Sequence, residues 1–224
     1  AVTIRDSAIT TDGAMTVTAE NANAIIGVAG GVAGTTGRSV GLSSAQVDSS
    51  RDAQVNATNT TWTVGSAAVS ARQAPDATLV SVSVAAGQLG GGGTAAVSIF
   101  SGSATVNADA LIITGPQETS PTDTVYTALP IVDIAATQAS VQSSNAGGLS
   151  AGTRGAIGAA SANSINRGGA QVLLNQSEIY AQSVRIAADA LANLQTRSFG
   201  LNVSGGAAVG IATAVNTSAM QVLT

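Results

Sequence analysis

Two short strand patterns recur together four times along this chain, and that repetition restricts the fold more than any single motif does. The first pattern is MTVTAE at Met15, AAVSAR at Ala67, VDIAAT at Val132 and VRIAAD at Val184, with starts 52, 65 and 52 residues apart. The second is SVGLSS at Ser39, AVSIFS at Ala96, AIGAAS at Ala156 and AVGIAT at Ala208. These are followed by DAQVNA at Asp52, SATVNA at Ser103, GAQVLL at Gly169 and SAMQVL at Ser218. Four copies of about 50 residues account for nearly the whole chain, which divides into repeats 1–57, 58–108, 109–174 and 175–224 of a single domain.

In the first pattern Val17, Val69, Ile134 and Ile186 hold one position and Ala19, Ala71, Ala136 and Ala188 the next on the same side. Thr16, Ala68, Asp133 and Arg185 stand just before them on the alternate side, which is the apolar-in, variable-out alternation of a half-buried strand. In the second pattern Val40, Val97, Ile157 and Val209 alternate with Gly41, Ser98, Gly158 and Gly210. The expectation is that the branched side is core and the small side an outer stripe, approached closely by another backbone, where only small residues fit. Gly41, Ser98, Gly158 and Gly210 are therefore the candidate stripe for packing between chains. The pairs and runs at Gly30–Gly31, Gly90–Gly93, Gly147–Gly148 and Gly205–Gly206 are expected at sharp corners, where Gly supplies positive φ. Short strands and small corners predict an all-β β-solenoid with two or three coils per repeat, eight to twelve coils in all. At about 4.8 Å per coil it would be a rod roughly 40 to 55 Å long.

One segment also fits helical spacing: Ile186, Ala190, Leu191 and Leu194 in IAADALANLQTR. Its equivalents in the first two copies are β-branched or interrupted by Pro75, so a strand is predicted there. The period is broken once, in the third copy, by GPQETSPTDTVYTALP at 115–130, which carries three of the chain's four prolines. Insertions in solenoids map to loops on one face, so Glu118, Asp123 and Tyr126 form a candidate binding loop, set against a plain solvated excursion.

Aromatic residues make up 2% of the chain, too few to fill a broad interior, so the core must be narrow or finely layered. All eight basic residues are Arg and the net charge is -4, which gives no basic footprint for nucleic acid or anionic lipid. No uninterrupted apolar run is long enough for a membrane helix. AVTIRDSAIT lacks the basic and apolar regions of a signal peptide, and it begins within a strand pattern just as MQVLT ends within one. The expectation is either a slice of a longer chain or a unit that stacks end to end.

Without histidine or cysteine, no His-based nucleophilic site or thiolate metal site can be built. Polysaccharide-cleaving β-helix enzymes use clustered carboxylates, which must be brought to within about 5 to 10 Å of each other. The acids here are mostly single, Asp48 and Asp52 with Arg51 being the densest group. GQLGGGGTA has the glycines of a calcium β-roll without its aspartates, leaving only adventitious calcium at Asp48 and Asp52 to consider. The lone Trp62 is either an exposed stacking platform or the filling of a coil end, and the second is preferred. The chain is accordingly expected to be no enzyme and to carry no metal or cofactor.

The order xITxDGxMTVTAEN, IxGVAGGVAG, SVGLSSAQV, DAQVNA resembles the repeats of very large bacterial filamentous adhesins, of the leukotoxin-family filamentous adhesin and filamentous haemagglutinin-like kind. The best local matches are Ser7 to Gly34 and Gly205 to Val222. A fainter likeness to trimeric autotransporter heads fails on their shorter period. The resemblance implies a right-handed parallel β-helix stalk, exported to the cell surface or extracellular matrix, acting in adhesion, aggregation or filament assembly. No stretch resembles that family's secretion or terminal binding domains, so ligand recognition is not carried over. The partners expected are further copies, side by side or end to end, or a longer parent chain, with surface glycans or other cells beyond; nucleic acid and a membrane span are not. The alternative is a carbohydrate-binding or polysaccharide-cleaving β-helix protein.

Overall fold

The computed structural model describes residues 1–120, 123–126 and 128–224, with the backbone alone described over 118–120 and 123–126. It is a flattened, parallel β-solenoid with an antiparallel excursion. The register sets the size of the coil. Val17 pairs with Val69, Val69 with Ile134 and Ile134 with Ile186, so each step across the sheet spans one whole sequence repeat. One repeat is one coil, not two or three. The strands are correspondingly long, and four tiers stack to a depth of only about 19 Å at about 4.8 Å each.

The first tier is β1 (Val2–Gly34) and β2 (Arg38–Ser49), and the second is the continuous β3 (Ala53–Phe100). The third comprises β4 (Ser103–Thr114) and β7 (Ile131–Asn166), separated by the hairpin of β5 (Gln117–Ser120) and β6 (Asp123–Tyr126). The fourth runs through β8 (Gly169–Asn175), β9 (Glu178–Ile179), β10 (Ser183–Ser204) and β11 (Ala207–Ser218). β12 (Gln221–Leu223) then pairs with β8 and starts a further tier. The hairpin explains the single long spacing, because it sits at a corner and leaves the register on both sides intact. The segment at 186–197 is strand, as expected from its equivalents.

Each tier folds back on itself twice, giving two walls. The long wall is residues 66–86 in the second tier and their paired equivalents. The facing wall is residues 89–100, continued beyond a bend at 101–102 by the first arm of the next tier. The bend faces the middle of the long wall, where Gln73 Nε2 donates to Arg51 O at 2.7 Å. A carbonyl turned out of the ladder is thereby satisfied, as a buried backbone acceptor must be.

The bend divides the interior into two halves. In the first, which we call the filled half, branched and aromatic side chains stack in columns: Val2, Val55, Val106, Val172; Ile9, Trp62, Ile113, Ile179; Val17, Val69, Ile134, Ile186. Trp62, Val55, Val64 and Ile113 are wholly buried, so the tryptophan is core filling. The expected inward face of the first repeated pattern is observed, and Ile186 is 42% exposed only because it stands in the outermost full tier. In the other, the lean half, the buried apolar cluster is Ala45, Ala96, Ala146, Ala160 and Ala162 with Leu79 alone among larger residues.

The backbone of the arms also differs between the halves. Asp6, Asn59, Ala110 and Gln176 have φ between 47 and 52°, and they fall at equivalent places in the four tiers of the filled half. No described glycine has positive φ. The expected glycine corners are therefore not corners: Gly30–Gly31, Gly90–Gly93 and Gly147–Gly148 lie inside strands, and only Gly205–Gly206 sits at a bend. Glycine here supplies room. A Cβ on Gly31 would collide with Leu42 O, and one on Gly90 with Ala151 O, across the narrow gap between walls.

Candidate functional site

The predicted outer stripe is turned inside out. Gly41 and Gly158 are buried, while Val40 and Ile157 are each 65% exposed and Val209 is 54% exposed. A Cβ on Gly41 would lie 2.6 Å from Val84 O on the opposite wall, so the close backbone is the chain's own. Gly158 and Gly210 make room for the Asn202 amide, which accepts a hydrogen bond from Ser150 Oγ. Because side chains alternate, assigning the wrong parity sends every residue to the wrong face. The assumption that large residues go inward fails where the interior is too thin to hold them.

Ser98 does not belong to that column at all. The partner of Gly41 in the second tier is Gly92, six residues earlier, and Ser98 pairs with Val47 and Ser164. It is wholly buried and donates to Gln142 Oε1 at 2.9 Å, with Ser144 Oγ at 3.0 Å and Ser164 Oγ at 3.2 Å also around its hydroxyl. Beside it, Gln138 Nε2 donates to Asn166 Oδ1, and Asn166 Nδ2 donates to Ser140 Oγ. This polar seam lies between the two apolar clusters, and internal pairing replaces only part of the water its groups have lost, Gln138 Oε1 and Gln142 Nε2 being buried without a partner among the described residues.

The remaining candidates are placed separately. Glu118, Asp123 and Tyr126 fall on the hairpin, Glu118 pairing with Val125, Asp123 with Ser120 and Tyr126 with Gln117, and their side chains lie outside the described residues. Asp52 accepts from Ser103 N at 2.7 Å and from its Oγ at 3.2 Å, so its carboxylate secures the start of β4. Asp48 is exposed on the outer side of β2. Among the described residues no group of three or more His, Cys, Asp or Glu is placed to hold a metal, and no helix is long and apolar enough to cross a membrane.

What the structure does assemble is a shallow apolar trough on the outer face of the lean half. One depression of about 500 Å³ is lined by Leu42, Gly93, Ala95, Ala159, Ile211 and Thr213. The next, about 450 Å³, is lined by Arg38, Val40, Gly91, Arg154, Ile157 and Val209 among others. Its floor is small because Gly91 and Gly93 fall in the second tier and Ala159 in the third, between larger residues of the first and fourth. These are the outward small residues that sequence comparison missed by choosing the wrong second copy. Neither lining carries a carboxylate, so neither offers the acid pair that glycoside cleavage requires. No family model, curated protein or solved structure matches the chain.

Proposed function

We propose that this chain is a structural and adhesive segment of a secreted or surface filamentous protein, a right-handed β-helical rod of four repeats that acts in cell adhesion, aggregation or filament assembly. The observation that carries this reading is the in-register stacking of whole repeats: each tier offers the next the same inward columns and the same ladder. An architecture of this kind extends by repetition without new design, since each repeat contacts only its neighbours. The resemblance to filamentous adhesin repeats supports the same reading. The apolar, carboxylate-free trough gives the carbohydrate-cleaving alternative no support. Electron microscopy of the native material tests it: rods or filaments with a spacing of about 4.8 Å along the axis are expected. Isolated globular particles would refute it.

A further inference from the structure

The acids of this chain avoid one wall. Although the net charge is -4, residues 89–100, 155–166 and 207–218 hold no Asp or Glu, and 38–49 holds only Asp48, near its far end. Two arginines stand at the near end of the same wall. Arg38 opens β2 in the first tier; its register partner Leu89 pairs in turn with Gly155, and Arg154 is the residue before that glycine. Both arginines are exposed and both line the depression of about 450 Å³. Two tier steps set their Cα atoms about 10 Å apart, so the two long side chains can meet on a group held between them. Neither guanidinium has an acidic or hydrogen-bonding partner among the described residues, in contrast to Arg72 on Glu20 and Arg185 on Asp133.

Behind the pair the depression is apolar. Val40, Leu89, Ile157 and Val209 form its sides, and Gly91, where a Cβ would meet nothing closer than 3.7 Å, its floor. Gly91 and Ile157 belong to the inner tiers, so the recess is no product of an uncovered end. It runs on along Leu42, Gly93 and Ala159 until Ser44 and Ser161 close the apolar stretch. Neither lining holds an aromatic ring, so neither offers a sugar a stacking face. The distance from Arg38 to Leu42, about 13 Å at about 3.3 Å per residue, suits an extended alkyl chain of about ten carbons, since a chain advances roughly 1.2 Å per bond. We propose that this site binds a medium-chain carboxylate, its head accepting from the Arg38 and Arg154 guanidiniums and its alkyl chain lying along Gly91 and Gly93 toward Leu42. Two guanidiniums left unpaired on an acid-free wall favour one anion between them, and charge-assisted bonds to a carboxylate are among the strong ones. The site stands apart from the rod reading and needs no second copy.

Isothermal titration of the full chain with decanoate, kept below the concentration at which it self-associates, tests the site. A single decanoate per chain should bind saturably with a Kd on the order of 100 μM. Arg38→Gln and Arg154→Gln should each weaken it about tenfold, and the double variant further, with an unchanged β circular dichroism spectrum because both side chains are exposed. Arg5→Gln removes the same charge from an exposed position in the filled half and should leave binding as it was. Butyrate, a head with little tail, should bind at least about tenfold more weakly than decanoate. 1-Decanol, a tail without the charge, should bind weakly, and equally to the unaltered chain and the double variant. In methyl NMR spectra decanoate should shift Val40, Ile157 and Val209. Decanoate that shows no saturable binding to on the order of 1 mM overturns the proposal. So does decanoate binding that the double variant retains, that 1-decanol matches, or that Arg5→Gln weakens as much, since apolar adsorption or net charge would then account for it. Shifts centred on Phe199 and Leu201 would put the ligand on the long wall and overturn it as well. Any of these failures leaves the rod reading standing.

Discussion

The filled and lean halves are made from the same strands, a few residues apart, yet they solve the burial problem in opposite ways. Around Trp62 the walls are held apart by branched and aromatic side chains, and the outer face carries polar and charged groups, including the ion pair of Arg185 with Asp133 at 3.0 Å. Around Ala96 and Ala160 the walls close on glycine, alanine and serine, with Leu79 and, beside the bend, Phe100 as the large apolar residues kept inside while Val40, Leu42 and Ile157 are left outside. Stability of the first half rests on the volume of its side chains. In the second it rests on how closely two backbones can approach.

The largest effect expected from this difference is at Trp62. Trp62→Ala removes the biggest wholly buried side chain from a column that cannot collapse, because Ile9 and Ile113 are fixed by the ladder on either side. Chemical denaturation should show a loss of about 3 to 5 kcal/mol. The lean half should respond to the reverse change. Gly41→Val drives a branched side chain against Val84 O and should cost about 1 to 3 kcal/mol by overpacking, whereas Gly92→Ala, in the same column but with 3.4 Å available to Leu149 O, should be close to neutral. Equal effects at the two glycines would show that the walls can part, and would erase the distinction between the halves.

The sequence made the repeat, the strands and the filled half legible, because there the branched residues Val17, Val69 and Ile134 do point inward and the 52-residue spacing is the ladder register itself. It did not disclose the coil size. A repeat of about 50 residues is compatible with several short coils or one long one, and only the pairing of Val17 with Val69 decides between them. The lean half was legible in its alternation but not in its direction. Periodicity says that two faces differ without saying which is inside, and Ala/Gly-rich strings such as AVSIFS align at the wrong offset as readily as at the right one. Gly41 is a point of close backbone approach, but on the inner side of the wall and not on an outer stripe. The approaching strand is simply the opposite wall.

The polar seam between the halves should respond more weakly than either core. Ser98→Ala withdraws the hydroxyl that donates to Gln142 Oε1, leaving that buried acceptor unpaired. A loss of about 1 to 2 kcal/mol is expected in the same denaturation measurement, and a loss near zero would mean that the seam contributes nothing to holding the halves in register.

The smallest change concerns the column where the filled half carries backbone strain. Asp6, Asn59, Ala110 and Gln176 all occupy the left-handed region, and two neighbouring pairs are bridged between tiers: Asn59 Nδ2 to Asp6 Oδ1 at 2.7 Å and Asn175 Nδ2 to Asp109 Oδ1 at 2.8 Å. Asn and Asp tolerate that conformation through local hydrogen bonding, but Ala110 at φ 52° has only a Cβ pressed toward its own carbonyl. Ala110→Gly relieves that contact while making the unfolded chain more flexible, so the two effects partly cancel. A net gain of about 0.5 to 1 kcal/mol is expected from the left-handed penalty, read as a raised denaturation midpoint with unchanged slope. The same substitution at Ala96, in the extended wall of the lean half, relieves no strain and should lose stability instead. A loss at both sites would show that the left-handed column is not strained, and that the halves differ in side-chain volume alone.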